Sequence, residues 1–274
     1  MKHYIPVLSI AGSDCSGGAG IQADLKTISA LGSYAATAIT AITVQNTCGV
    51  RAIHPVPAEI VKGQIAAVME DIHPEAIKIG MVNDTAVIRA IVESLKFYHP
   101  RHVVFDPVMV STSGHKLIED DAIRLITEEL MPLADVITPN LQEAEALCGK
   151  QLSTVSDMQQ AAKELLKFGC KAVLLKGGHL GGNQMVDVLL MVGRTAPRLY
   201  SATKVESRNT HGTGCSLSSA IATLLAQGRS LPEAVDGAKT YVREGIRKGK
   251  DIEIGSGHGP LNHFFAPIPM KIKE

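Results

Sequence analysis

The sequence predicts an α/β fold: a central, mostly parallel sheet with helices on both faces and a hairpin at one edge. Three observations carry this. Short apolar runs alternate with amphipathic stretches along most of the chain, as strand–helix–strand units require. The runs end in glycines and polar residues, as strands do at the ligand-binding edge of an open sheet. In the last third, two strand-like runs follow each other without an intervening helical pattern and read as an antiparallel pair.

Residues 7–11 are apolar and uncharged, a buried strand. The strand breaks into Gly12-Ser13-Asp14-Cys15-Ser16-Gly17-Gly18-Ala19-Gly20. Ile21, Leu25, Ile28 and Leu31 then recur at helical spacing, up to a Gly32 C-cap. A strand, Gly-rich turn and helix can hold a dinucleotide, but G-x-G-x-x-G is missing and no acidic residue closes the next strand. Gly17 and Gly18 are instead expected to admit a ligand close to the backbone, or to hinge a segment over it. Residues 36–45 form a second strand ending in Gln45-Asn46-Thr47, and 48–53 an excursion from the main sheet, a flap or dimer strand. Pro57 opens a helix through Asp71, with Ile60, Ile65, Val68 and Met69 on its inner side.

A regular alternation follows. A strand at 76–79 ends in Gly80-Met81, and Asp84 caps a helix that runs to Tyr98. A strand at 103–105 ends in Asp106-Pro107-Val108-Met109, and a polar loop at 111–116 leads to a helix over 120–131. The strand at 136–138 ends in Pro139-Asn140, with helices at 141–148, closed by Gly149, and at 156–168. The strand at 172–175 ends in Lys176-Gly177-Gly178-His179, and a Gly181-Gly182-Asn183 turn leads into the paired runs 185–192 and 199–205. Helices at 215–227 and 231–250 finish the body, and the tail 254–274 has no regular pattern. There is no linker and no internal repeat, so residues 1–274 are expected to be a single domain.

Composition excludes several classes. Lys plus Arg and Asp plus Glu are 27 each, which provides no general electrostatic grip on nucleic acid or membrane. Aromatics are 4% and Trp is absent, so stacking platforms for single strands are not expected. The 5 Cys are odd in number and lack metal-site spacing, which fits free thiols in a reducing compartment. Ser9 and Gly12 interrupt the N-terminal apolar run too early for a signal-peptide core, and no stretch is apolar for long enough to span a bilayer. A soluble cytoplasmic protein is expected.

The most informative stretch is Asn209-Thr210-His211-Gly212-Thr213-Gly214-Cys215-Ser216, which feeds an apolar helix. Glycines turn the backbone N–H groups toward one point, and the first turn of the helix adds its free N–H groups and positive dipole end. The result is a pocket for an anion, most often phosphate. Cys215 at this helix start is expected to have a lowered thiol pKa. At the predicted strand ends stand Asp14, Gln45, Asp106, Asn140, Lys176 and His179. Asn140 and Glu143 lie three apart and share a helix face, either as a capping arrangement or, with Asp106, as oxygen ligands suited to Mg²⁺. A phosphate nest, a cation and a metal face on one fold type make phosphoryl transfer from a nucleotide the most economical reading.

Several segments together resemble the hydroxymethylpyrimidine/phosphomethylpyrimidine kinases of thiamine biosynthesis. They are Ala11-Gly12-Ser13-Asp14, the run from Ser16 through Lys26, Val44-Gln45-Asn46-Thr47, Lys78-Ile79-Gly80-Met81, Asp106-Pro107-Val108-Met109, Thr138-Pro139-Asn140-Leu141 and His211-Gly212-Thr213-Gly214-Cys215. The resemblance implies a ribokinase-like fold and an ATP- and Mg²⁺-dependent kinase, most often a homodimer. It implies that Gly212, Thr213, Gly214 and Cys215 surround the transferring phosphoryl group, with Cys215 as base. It also implies that Gln45 and Asp24 hold the pyrimidine between Ala19, Met81 and Val108. Lys176, Asn140 and His211 would face ATP, Glu143 and Asp106 the metal, and the loop at 111–116 would order over nucleotide. Cys15 stands where relatives often carry Pro or Ser, with no expected consequence, and nothing functional is assigned to the tail. The nearest alternative is a pyridoxine/pyridoxal kinase of the same fold. A more distant one is a hydrolase with Cys215 as nucleophile and His211 or His179 as base.

Overall fold

The computed structural model describes residues 2–82, 84–109, 120–178 and 183–274. The loop at 111–116, His179 and the Gly181-Gly182 turn lie outside the described residues.

A two-residue strand β1 (His3–Tyr4) precedes β2 (Pro6–Asp14), α1 (Gly20–Ala30) and β3 (Tyr34–Asn46). Then come β4 (Gly49–Pro55), α2 (Ala58–Asp71), β5 (Ala76–Ile79), α3 (Thr85–Tyr98) and β6 (Val103–Phe105). The second half holds α4 (Asp120–Leu125), β7 (Val136–Ile137), α5 (Leu141–Cys148), α6 (Val155–Leu166), β8 (Ala172–Leu175), β9 (Gln184–Met191) and β10 (Arg198–Thr203). The chain closes with α7 (Thr213–Ala226), α8 (Leu231–Gly249) and β11 (Ile272–Lys273). The nine-stranded sheet has the order β10-β9-β8-β7-β6-β5-β2-β3-β4. Its six central strands are parallel, and the antiparallel strands lie only at the edges.

A sheet covered on both faces needs apolar side chains on both sides of each strand, which is why its central strands read as continuous apolar runs. In β5 the alternation has a consequence. Ile77 and Ile79 point into the layer of α2, α3, α5 and α6, while Ala76 and Lys78 point the other way, toward α1 and α7. Helix α7 packs across β2, β5 and β6. Its buried hydroxyls at Ser216, Ser218 and Thr223 reach carbonyls one turn back, so a tightly packed helix carries polar groups at little cost.

Four expectations change. The segment 48–53 does not leave the sheet but forms its antiparallel edge strand β4, since hydrogen bonding to β3 satisfies its backbone. In α2 the buried side is Val61, Ile65 and Met69, and Ile60 is exposed because it lies off that stripe. The helix expected over 120–131 loosens after Leu125 into a π turn, Ile126–Leu130, and a 3₁₀ turn, Met131–Leu133, where Pro132 cannot donate to an α-helical ladder. The tail contains β11, which pairs antiparallel with β1.

Candidate active site

Helix α7 starts at Gly212, whose φ of +76° is a left-handed conformation that a side chain would strain. A Cβ there would run into the Gly18 carbonyl, and one at Gly18 would run into the His211 ring. The turn after β2 and the turn before α7 are thus interlocked backbone to backbone. The Gly18 backbone thus makes a close approach to the loop before α7. No side chain caps α7, so the Gly214 and Cys215 N–H groups have no intrahelical partner. They open onto a cavity of about 980 Å³, which also takes in the ends of β2, β3, β6 and β8.

At one end of this cavity stands Gln45. The β3–β4 register slips between Val44 and Gln45, a bulge of the kind that re-aims side chains next to sites. The Gln45 carboxamide lies 3.2 Å from Thr43 Oγ1 and 3.2 Å from His211 Nε2. Its backbone is held by Cys15, whose thiol donates to the Gln45 carbonyl at 3.0 Å and accepts from the Gln45 N–H at 3.3 Å. Cys15 therefore does have a consequence: it props the residue expected to read the ring. His211 Nε2 also lies 2.9 Å from Asp14 Oδ2, and the Asp14 carboxylate accepts N–H bonds from Ser16, Gly18 and Ala19. Burial would raise the Asp14 pKa, but His211, the Ser16 hydroxyl and these N–H groups outweigh it and hold the carboxyl well below its usual range. His211 is thus tied to Gln45 and Asp14. Ala19, Met81 and Val108 line the cavity as expected.

The other end collects Lys176, Asp106, Asn140 and Glu143. A bridge between Asn140 and Lys176 sets the ends of β7 and β8 side by side. Lys176 Nζ donates to Asp106 Oδ1 at 3.0 Å, and Thr138 Oγ1 donates to the same oxygen at 2.8 Å. Lys176 and Lys78 hold Asp106 ionised against the burial that opposes it, and Asp106 and Glu143 do the same for Lys176. Asn140 and Glu143 do form a capping box on α5, with Glu143 N–H donating to Asn140 Oδ1 at 2.9 Å and Asn140 N–H to Glu143 Oε2 at 2.8 Å. The capping reading of this pair holds, and the box also lines the cavity. Burial, then the Asp106 charge, push the Glu143 carboxyl up to about 7, with Lys176 and the Asn140 and Met109 N–H groups pulling the other way. Among the described residues no three His, Cys, Asp or Glu side chains could hold a metal by themselves.

Between the two ends lies Cys215, partly exposed and facing the cavity. Its thiol is not lowered as the helix start suggested. Burial pushes it up to about 11, Lys78 opposes this, and Asp24 and Asp106 add to it. The helix-terminus argument counted the dipole and omitted the packing around the sulfur. Asp24 is also not where it was expected. It is fully buried beneath the cavity, accepting from Lys78 at 2.8 and 3.0 Å, Ser9 at 2.5 Å and Ser219 at 2.6 Å. With every oxygen engaged, it supports the floor and is absent from the cavity wall.

A glycine-rich helix start between Gln45 at one end of a cavity and Lys176 at the other invites comparison with known nucleotide-dependent kinases. The sequence matches the phosphomethylpyrimidine kinase family profile over residues 14–262. The chain belongs to the phosphomethylpyrimidine kinase family. It is 52% identical to the hydroxymethylpyrimidine/phosphomethylpyrimidine kinase of Rhizobium meliloti, across 94% of this chain and 96% of that protein. Its fold matches the crystal structure of phosphomethylpyrimidine kinase from Clostridium difficile with a TM-score of 0.79 at 48% identity, covering 88% of this chain and 99% of that one. It also matches pyridoxal kinase from Staphylococcus aureus in complex with AMP-PCP and pyridoxal, with a TM-score of 0.86 at 31% identity and 98% of each chain covered. The ribokinase-like fold expected from the sequence is the fold observed.

Within this kinase family fold, three features went unread in the sequence. Lys78 was quoted as part of a motif but given no role, yet it is the buried cation beneath Cys215 and Asp106. The cavity continues along Leu199, Thr203, Val205 and the Lys239 to Ile246 side of α8. The tail contacts the anion loop directly, through Gly259 and His263. No helix among the described residues is long and apolar enough to cross a membrane.

Proposed function

We propose that this chain phosphorylates 4-amino-5-hydroxymethyl-2-methylpyrimidine, and then its monophosphate to the diphosphate, with ATP as donor, in thiamine biosynthesis. The observation that carries this is the single cavity that joins Gln45, His211 and Asp14 to Lys176, Asp106 and Glu143 across the α7 N-terminus. The family membership and the name of the Rhizobium meliloti relative point to the same chemistry.

In this reading Gln45 pairs with a ring nitrogen and the exocyclic amino group, since its carboxamide offers both N–H donors and acceptor lone pairs. Ala19, Met81 and Val108 hold the ring faces. The Gly214 and Cys215 N–H groups, with Gly212 and Thr213 shaping the turn, receive the transferring oxygens, and Lys176 and Asn140 face the donor phosphates. Glu143 fits a divalent cation: it is a buried carboxyl pushed up to about 7 next to Asp106, and the Lys176 ammonium that acts on it is already engaged with Asp106. Asp106 and Glu143 would hold Mg²⁺, which offsets phosphate charge when bound. The transition state of phosphoryl transfer is loose, so positioning and charge do most of the work. The Cys215 thiolate takes the proton of the alcohol in the first phosphorylation. In the second, the acceptor is already an anion and needs little help from a base. The exposed Ile42 and Val44 beside the edge strand β4 suit contact with a second copy, and we place the enzyme as a homodimer in the cytoplasm.

The test is a coupled ADP assay with product analysis for hydroxymethylpyrimidine, its monophosphate and pyridoxal. Phosphorylation of both pyrimidines, with pyridoxal the poorest acceptor, is the expected outcome. Turnover with pyridoxal alone would replace the reading by the vitamin B6 alternative.

A further inference from the structure

The tail, which showed no pattern in the sequence, is docked on two loops of the site. Gly257 N–H donates to Thr47 Oγ1 at 3.1 Å, and His258 N–H donates to the Thr47 carbonyl at 2.9 Å, at the turn that follows Gln45. Gly259 then accepts from the His211 N–H at 3.0 Å. Asn209 Nδ2 donates to the carbonyls of Gly249 and Ile252, both at 2.6 Å. A Cβ at Gly255 or Gly257 would strike Thr47, and one at Gly259 would strike Asn209. Alternate glycines thus let this segment lie flat against both loops.

The segment ends at His263, which is 4% exposed. Its Nε2 lies 3.0 Å from Ser216 Oγ, and Ser216 Oγ donates to the Gly212 carbonyl at 2.8 Å. Ser216 has one hydroxyl proton and the Gly212 carbonyl can only accept, so His263 is the donor to Ser216. Burial, with Lys26 nearby, pushes His263 down to about 4 and keeps the imidazole neutral. The Gly212 carbonyl also accepts the Ser216 N–H at 2.9 Å. That carbonyl shares a rigid peptide plane with the Thr213 N–H, so fixing one aims the other and orients the turn behind it.

We propose that residues 255–263 are a strap that sets the shape of the anion loop, and that His263 is the positioning residue through which the strap acts. The proposal rests on the reading of that loop as the phosphoryl site. It differs from a simple packing role in acting on turnover rather than on substrate affinity.

The experiment compares His263→Leu, His263→Gln and Ser216→Ala in the full chain, by steady-state kinetics with hydroxymethylpyrimidine and ATP and by amide hydrogen exchange of residues 210–217. Loss of one buried hydrogen bond predicts about a tenfold drop in kcat for His263→Leu, with both KM values changed less than about twofold. Exchange of residues 210–217 should quicken by about tenfold while α3 keeps its protection. His263→Gln, which can still donate, should recover both readouts to within about threefold of the parent. Ser216→Ala should match His263→Leu, and the double variant should add nothing further. For His263→Leu, unchanged exchange at residues 210–217 or a kcat within twofold of the parent would overturn the proposal, as would additive losses in the double variant. Should His263→Leu not fold, Gly257→Ala at Thr47 loosens the strap from its far end and is held to the same two readouts. If the parent enzyme phosphorylates neither pyrimidine, the functional reading fails by itself, while the exchange data still decide whether the strap holds the loop.

Discussion

Two lysine–aspartate pairs flank the start of α7, and their difference separates structure from chemistry. Lys78, in β5, pairs with Asp24, and both side chains are 0% exposed. Lys176, just after β8, pairs with Asp106 with 17% and 2% of the side chains exposed. The first pair is saturated. Asp24 takes two serine hydroxyls besides the ammonium, and the ammonium stays charged because the Asp24 field, with Cys215 and Asp106, outweighs its burial. The second is left short: Lys176 opens onto the cavity, and beside it Glu143 is so poorly compensated that its carboxyl rises to about 7. A buried charge with all its partners in place holds the fold. A charge with partners missing, next to a cavity, is set for a ligand.

The largest effect expected is on stability and comes from the sealed pair. Lys78→Met leaves the Asp24 carboxylate buried without a cation, which costs about 3–5 kcal/mol. Denaturant titration should show this, and Lys78→Met combined with Asp24→Asn should regain most of it. A single variant as stable as the parent would erase the contrast between the pairs. The open pair should behave the other way. Lys176→Met should leave stability within about 1–2 kcal/mol, since Asp106 keeps the Thr138 hydroxyl and the cavity admits water. Turnover with ATP should nevertheless fall by about 10²–10³-fold.

Cys215 lies between the pairs and sharpens the comparison through pH. With its pKa at about 11, the thiol exceeds the working pH, and at pH 7 about one molecule in ten thousand carries the thiolate. A base must be deprotonated to act, and this fraction grows tenfold per pH unit until the pKa is reached. The alcohol step should therefore quicken steadily from pH 7 to 10, while phosphorylation of the monophosphate, whose acceptor is already anionic, stays flat. Cys215→Ala should slow the first step by about 10²-fold and the second by less than about threefold. Equal slowing of both steps would remove the base role and leave the sulfur as packing.

How far the sequence reached follows from how local each signal is. The glycine turn and the start of α7 were legible because glycines, a small polar run and an apolar helix occur within a dozen residues. Asn140 and Glu143 were legible because three residues on a helix make a face. The Asp14–His211 contact was not, since it joins positions 197 apart in the chain. Lys78 sits in Ala76-Ile77-Lys78-Ile79, where alternation marks it as facing opposite to its neighbours but cannot say that a carboxylate waits there. Asp24 was given to the substrate through family resemblance, and only packing against Ser9, Lys78 and Ser219 places it underneath. The direction of the Cys215 shift depends on burial by distant elements, which no local rule contains.

The smallest effect belongs to Gln45, which is neutral and already wired on both sides before any ligand arrives. Thr43, His211 and Cys15 hold its carboxamide and backbone, so little ordering remains to be done when a ring binds. Gln45→Ala then loses about one or two ring hydrogen bonds without disturbing a charge, roughly 1–2 kcal/mol. The expected outcome is a KM for hydroxymethylpyrimidine about 10-fold higher, with kcat within about threefold. Pyridoxal lacks the adjacent ring nitrogen and amino group that a carboxamide can pair with together, so its turnover should change by less than twofold. If Gln45→Ala instead lowers kcat as strongly as Lys176→Met does, Gln45 belongs with the open charges at the far end of the cavity. Recognition and transfer would then not be divided between the two ends.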